Sequence, residues 1–300
     1  MAYKEFITIP GIRQEVEHHE HHAEADARHA QHKQDLEGLS RLRVQAPPAT
    51  VVVEPGGKSF RTIKEANDSI TDAGPTNLYM MNCGIGSWEE QVILKPYVHL
   101  TGSLDPGTEE PLTYLRCQAF KPGTAPVGGI VAASNSSITQ CLIISYALEA
   151  GVNAVGIGCD SVNPFTIGNC SALVYNEGFA LNAVAAISID FVNYSKKGTS
   201  TVWMEYVNAT INVPDTDDYP VALGIGGKAS VTVNEGTLTA TARDHAAGVV
   251  AFDTSNIRLN SATVKGSTWS LLIWGNSAAT ITADRCTLTG PVDPRVKIIG

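Results

Sequence analysis

From residue 128 onward, short apolar stretches return along the chain with a regular beat. Five segments align: FTIGNCSA from Phe165, MEYVNATI from Met204, VTVNEGTL from Val231, IRLNSATV from Ile257 and ITADRCTL from Ile281. Their starts are separated by 39, 27, 26 and 24 residues. In this alignment the first and eighth positions are apolar, and the third is apolar or nearly so. The sixth is small (Cys170, Ala209, Gly236, Ala262, Cys286) and the seventh carries a hydroxyl (Ser171, Thr210, Thr237, Thr263, Thr287). A second apolar strand precedes each segment: VGIG, AAISIDF, VALGIG, GVVAF and LLIW. An earlier copy fits at GGIVAA and SITQCLII, and an insertion from Asn193 to Ser200 accounts for the longest interval.

Alternation of apolar and polar positions marks strands with one buried face. Two or three short strands per repeat is the arithmetic of a parallel β-helix, whose coils bury their inward side chains only by stacking. A propeller blade needs about 40 residues. The predicted fold is therefore all-β: a right-handed single-stranded parallel β-helix, or solenoid, over residues 51–300. The small column is expected at a tight corner, with the hydroxyl column forming an inward ladder along the stack. Gly224 to Gly227, followed by Lys228, precedes a strand rather than a helix and reads as a solenoid corner, not a phosphate loop.

The first fifty residues follow another rule. Residues 1–11 read as an attachment segment ending in Pro10-Gly11. Residues 12–44 read as one long α-helix, with Ile12, Val16, His19, Ala23, Ala27 and Ala30 at 3–4 spacing. Residues 45–50 form a Pro-rich linker. The apolar seam is too thin to hold a lone helix and suits a coiled-coil-like arm, with a trimeric helical bundle expected. Six of the eight histidines lie between His18 and His32. His18, His19 and His22 are candidate metal ligands if chains converge, and otherwise form a solvated helix face.

Composition narrows the classes. Only 17% of residues are charged and the formal net charge is −9, which argues against a nonspecific nucleic-acid binder. No apolar run reaches the length of a membrane span, and the N-terminus lacks the basic and apolar regions of a signal peptide. The expected setting is a virion or other extracellular particle reached without a signal peptide. The cysteines (Cys83, Cys117, Cys141, Cys159, Cys170, Cys286) contain no CxxC pair and read as reduced, buried hydrophobes. No cofactor is implied.

Residues 50–102 carry a more specific signal. Thr50 to Ala66 reads as a strand, a Gly-rich turn, an aromatic and a Thr-Ile entry to a short helix. Gly86-Ser87-Trp88-Glu89-Glu90-Gln91-Val92 and Val98-His99-Leu100-Thr101-Gly102 follow. This opening resembles that of pectinesterase and related pectin-lyase-like β-helix proteins, with Trp88 in the family's Tyr place and Glu90 in its Glu place. The resemblance implies a capped solenoid. The family's catalytic segments are missing: there is no Gln-Asp pair and no Arg-Pro-Trp, and Asp190-Phe191 departs from the family's pattern at Val192.

Acid–base chemistry on a solenoid needs carboxylates on adjacent coils. Asp160, Asp190, Asp253 and Asp284 lie on or beside strands, and Asp244 neighbours His245. The competing reading is that such aspartates satisfy local backbone amides. Asp215 to Asp218 could hold calcium or be a solvated loop. Trp88 and Trp269 are candidate glycan-stacking residues, whereas Trp203 and Trp274 sit within strands. The leading expectation is a non-enzymatic structural or adhesive protein. In architecture it resembles bacteriophage tail-spike and tail-fibre proteins: a homotrimer docked by its N-terminus to virion or baseplate proteins and presenting the solenoid to cell-surface polysaccharide. The alternative is a polysaccharide lyase or hydrolase, a depolymerase.

Overall fold

The computed structural model describes residues 49–54, 60–121, 128–176, 181, 183–191, 198–213, 219–242 and 245–300. The chain divides into two units, 1–47 and 48–300. The attachment segment, the helical arm, the linker up to Pro48 and the histidine cluster lie outside the described residues.

The second unit is built of parallel strands stacked rung on rung in two sheets, one of seven strands and one of sixteen. The seven-stranded sheet stacks Val92–Ile93, Ile130–Val131, Asn153–Cys159, Ala183–Ile189, Val221–Ile225, Ala247–Ala251 and Trp269–Ile273 in chain order. These include the second apolar strands expected from sequence. The other two faces of each coil meet at a bend. The strands Thr201–Asn212 and Ser230–Thr241 run through that bend unbroken, joining both faces into the sixteen-stranded sheet. Among the described residues no helix is long and apolar enough to cross a membrane.

Register follows the apolar columns. Phe165, Val202, Val231, Ile257 and Ile281 lie side by side on successive coils. The alignment on Met204 is thereby corrected: Met204 pairs with Ile167, so that segment begins two residues earlier, at Val202. Two of the expected columns change with it. The sixth position is Cys170, Val207, Gly236, Ala262 and Cys286, and Val207 is not small. The seventh is Ser171, Asn208, Thr237, Thr263 and Thr287. These face outward, while their neighbours Ala172, Ala209, Leu238 and Val264 are buried. The hydroxyl column is thus a solvent face and not an inward ladder.

The bend is the fifth position of each repeat. Gln140, Asn169, Tyr206, Glu235, Ser261 and Arg285 all adopt positive φ, between 48° and 61°. A left-handed residue turns the chain sharply without breaking the ladder on either side. Below the bend, Phe165, Ile167, Ile187 and Leu223 are fully buried in one continuous core. The thiols of Cys83, Cys117, Cys141, Cys159, Cys170 and Cys286 are free, and all but Cys286 are buried.

Side chains fasten the coils at both ends. At the N-terminal end, the short helix Ile63–Ser69 has Thr62 as N-cap, its Oγ1 accepting from the Glu65 amide at 3.0 Å. Glu90 completes the cap, its carboxylate accepting from the amides of Ile63 at 2.8 Å and Lys64 at 3.0 Å. At the other end, Lys297–Ile299 add a last strand to Thr280–Asp284, with Ile298 and Ile299 exposed. Just before it, Asp293 and Arg295 form an ion pair at 2.7 Å. Arg295 also donates to the carbonyls of Gly275, at 2.7 Å, and Ile273.

Candidate functional site

The outer face of the seven-stranded sheet carries no charged side chain in its five longer strands. One outward column is Val155, Ala185, Val221, Ala247 and Trp269; another is Gly158, Ser188, Gly224, Val250 and Leu272. Val221, Ala247 and Val250 form a second apolar cluster, separate from the interior core, with Phe191, Tyr219, Phe252, Trp269 and Leu272 packed over it. The column is small at Gly224 because Phe191 lies on it: a Cβ there would come within 2.5 Å of the ring.

The rings form a chain across the coils. His245 stacks on Tyr219 with centroids 5.8 Å apart and planes at 7°. Tyr219 meets Trp274 edge-on at 5.3 Å, Trp274 lies against Phe252 at 5.7 Å, and Phe252 tilts against Phe191 at 5.2 Å. Trp274 is 42% exposed. The Tyr219 hydroxyl is buried and finds no hydrogen-bond partner among the described residues. Burial pushes its pKa up to about 12, so it stays a neutral donor at any physiological pH. An aromatic strip with one unsatisfied hydroxyl and a solvent-facing indole is suited to the apolar face of a sugar.

The candidate carboxylates do not gather there as an acid–base pair. Asp190 is buried, and its two oxygens accept from the Ser161 amide at 2.7 Å, the Ser200 amide at 2.9 Å and the Ser200 hydroxyl at 3.0 Å. It is a structural acceptor. Asp253 accepts from the Gly227 amide at 3.3 Å, and Asp160, exposed, accepts from the Ser161 hydroxyl at 3.2 Å. Asp284 lies 3.7 Å from the Arg285 guanidinium. Asp244, like residues 214–218, which include Asp215 to Asp218, lies outside the described residues. Among the described residues no group of three or more His, Cys, Asp or Glu side chains gathers to hold a metal.

Of the two tryptophans expected to stack on glycans, Trp88 is buried, its indole N–H donating to the Arg61 carbonyl at 3.1 Å. It fixes the first coil. Trp269 does join the aromatic strip, but from the start of a strand rather than a loop. Trp274, placed within a strand by sequence, follows the strand's last residue and is the most open indole of the strip. Phe191, Tyr219 and Phe252 had no signal in the linear sequence, because only register brings them together. Gly227, with φ of 57°, is the solenoid corner expected of that glycine run.

No family profile matches the chain, and no curated protein matches it. Among solved structures, a pectin methylesterase from carrot is similar, with a TM-score of 0.55 and 14% sequence identity over 85% of this chain and 89% of that one. At this identity the likeness shows the fold, a parallel β-helix, and nothing of the chemistry.

Proposed function

We propose that this chain acts on a polysaccharide held against the aromatic strip of the seven-stranded sheet. The observation that carries the reading is the unbroken ring chain His245–Tyr219–Trp274–Phe252–Phe191 lying on an uncharged outer sheet face. A polysaccharide-degrading lyase or hydrolase is put ahead of a non-enzymatic tail component, because a solenoid of similar fold, the pectin methylesterase, carries an enzyme; the type of reaction is this reading's own. Asp253, which follows Phe252 in the chain, and Asp160, which follows the sheet strand Asn153–Cys159, are the carboxylates left for acid–base work, with His245 as the exposed base.

A specific observation favours binding without turnover: Asp190, the carboxylate most deeply set, is consumed by three backbone and hydroxyl donors. On that second reading the solenoid is the presenting domain of a trimeric tail-spike-like particle component. Incubation of the full chain with neutral and acidic polysaccharides separates the two, with reducing ends, unsaturated products and retained polymer all measured. Products that vanish in Asp160→Asn or Asp253→Asn support the enzyme. Retention without products supports the adhesin. Neither retention nor products, with every polymer tried, removes the polysaccharide reading altogether.

A further inference from the structure

The opposite side of the solenoid carries a second row of side chains in strict register. Gln118 pairs with Tyr146, Tyr146 with Tyr175, Tyr175 with Asn212, and Asn212 with Thr241. Their inward neighbours, Cys117, Ser145, Val174, Ile211 and Ala240, are buried, so all five row members point outward. Four rungs of about 4.8 Å make a row of roughly 19 Å parallel to the solenoid axis. Its chemistry is amide, phenol, phenol, amide, hydroxyl.

The centre of the row is preorganised. The Tyr146 hydroxyl donates to Glu89, and the Arg116 guanidinium sits 5.4 Å from the Tyr146 ring centroid. Glu89 and Arg116 are partners in the ladder register, one acid beside one base. Tyr175, on the next coil, is 49% exposed. Ile144 and Leu173, themselves paired, give the row an apolar floor to one side.

We infer that this row is a second polysaccharide-binding site, taking an extended neutral glycan that lies along the solenoid axis and stacks on Tyr175 and Tyr146. Ring stacking supplies affinity, and the flanking Gln118, Asn212 and Thr241 supply hydrogen bonds to hydroxyls. An uncharged row on a chain of net charge −9 selects against acidic polymers and nucleic acid. The site is independent of the ring chain on the seven-stranded sheet.

The test is affinity electrophoresis of the full chain in native gels cast with a soluble β-glucan, a neutral galactan or polygalacturonate. A neutral polymer is expected to retard the protein. Tyr175→Ala should weaken that affinity about tenfold, as loss of one stacked ring does elsewhere, while Tyr175→Phe retains it. Trp274→Ala, on the other face, should leave the Tyr175-dependent part intact. The inference is overturned if no polymer retards the chain, if only polygalacturonate does, or if Tyr175→Ala migrates like the unaltered protein. Loss in Trp274→Ala with no effect of Tyr175→Ala keeps the proposed function and removes this site.

Discussion

Asp190 and Ser200 are joined by two hydrogen bonds across the base of the inserted loop, amide to Oδ2 at 2.9 Å and hydroxyl to Oδ1 at 3.0 Å. The same carboxylate reaches the Ser161 amide of the preceding coil at 2.7 Å. One side chain therefore closes the insertion and fastens two coils. Asp190→Ala leaves two buried donors of Ser200 and the part-buried Ser161 amide unpaired and is expected to cost about 3 kcal/mol, read by denaturant unfolding. Gly198→Ala should be as damaging, because a Cβ there would lie 2.2 Å from the Asp190 Cγ. If Asp190→Ala proved as stable as the unaltered chain, the structural role assigned to it would be wrong.

Trp274→Ala tests the ring chain. The indole is partly exposed and lies outside the interior core, so its loss should leave the unfolding midpoint nearly unchanged. Polysaccharide affinity at this face should fall about tenfold, measured by isothermal titration calorimetry. A large stability loss with unchanged affinity would identify Trp274 as packing.

The cysteines should report burial. Desolvation pushes Cys83 and Cys170 up to about 12 and Cys117 up to about 11, and raises Cys141 and Cys159 as well. Thiolates are the reactive form. In native protein at pH 8, a thiol reagent should modify Cys286 first, and the other five only on unfolding. Rapid native modification of Cys159 would show that its coil opens.

Acid should loosen the last coil late. Hydrogen bonding to Arg295 holds the Asp293 carboxyl below its ordinary value. A carboxylate depressed in the folded state adds stability that is complete above its unfolded pKa and is lost as pH falls through the lower folded value. Hydrogen exchange at Ile273 and Ser270 should therefore stay slow through the ordinary carboxylate range and quicken only below it. Asp293→Asn should abolish that dependence and exchange faster at neutral pH.

Tyr206 occupies the bend with φ of 53° and a side chain 50% exposed. A bulky residue there is strained, whereas asparagine tolerates the left-handed conformation. Tyr206→Asn should raise stability by roughly 0.5–1 kcal/mol, seen as a higher unfolding midpoint. A lower midpoint would mean that the phenol packs more than its exposure implies.

Much of the fold was legible because inward columns repeat the same physics on every coil. Val231, Ile257 and Ile281 align in sequence as they do in space. The slip at Met204 arose because Thr210 and Ala209 imitate the hydroxyl and small columns, while the true partners, Asn208 and Val207, resemble neither. The bend was invisible for a related reason: asparagine, tyrosine, glutamate, serine and arginine share a backbone angle there but no side-chain chemistry. The aromatic strip was hidden because its members lie on different coils, far apart in the chain. Trp88 misled because a tryptophan's exposure depends on which way its strand faces.

The carboxylate contacts between coils also share a direction. Asp190 reaches back to Ser161, Asp253 to Gly227 and Asp293 to Ile273, each from a later coil to the one before it. Arg295 reaches back in the same way. Other side chains reach the opposite way: Gln91 donates forward to the Gly128 carbonyl, Ser134 accepts from the Asn163 amide, and Ser270 donates to the carbonyls of Gly290 and Pro291. Each junction is thus fastened from both of its coils, so stripping either end coil leaves unpaired polar groups on the coil next to it.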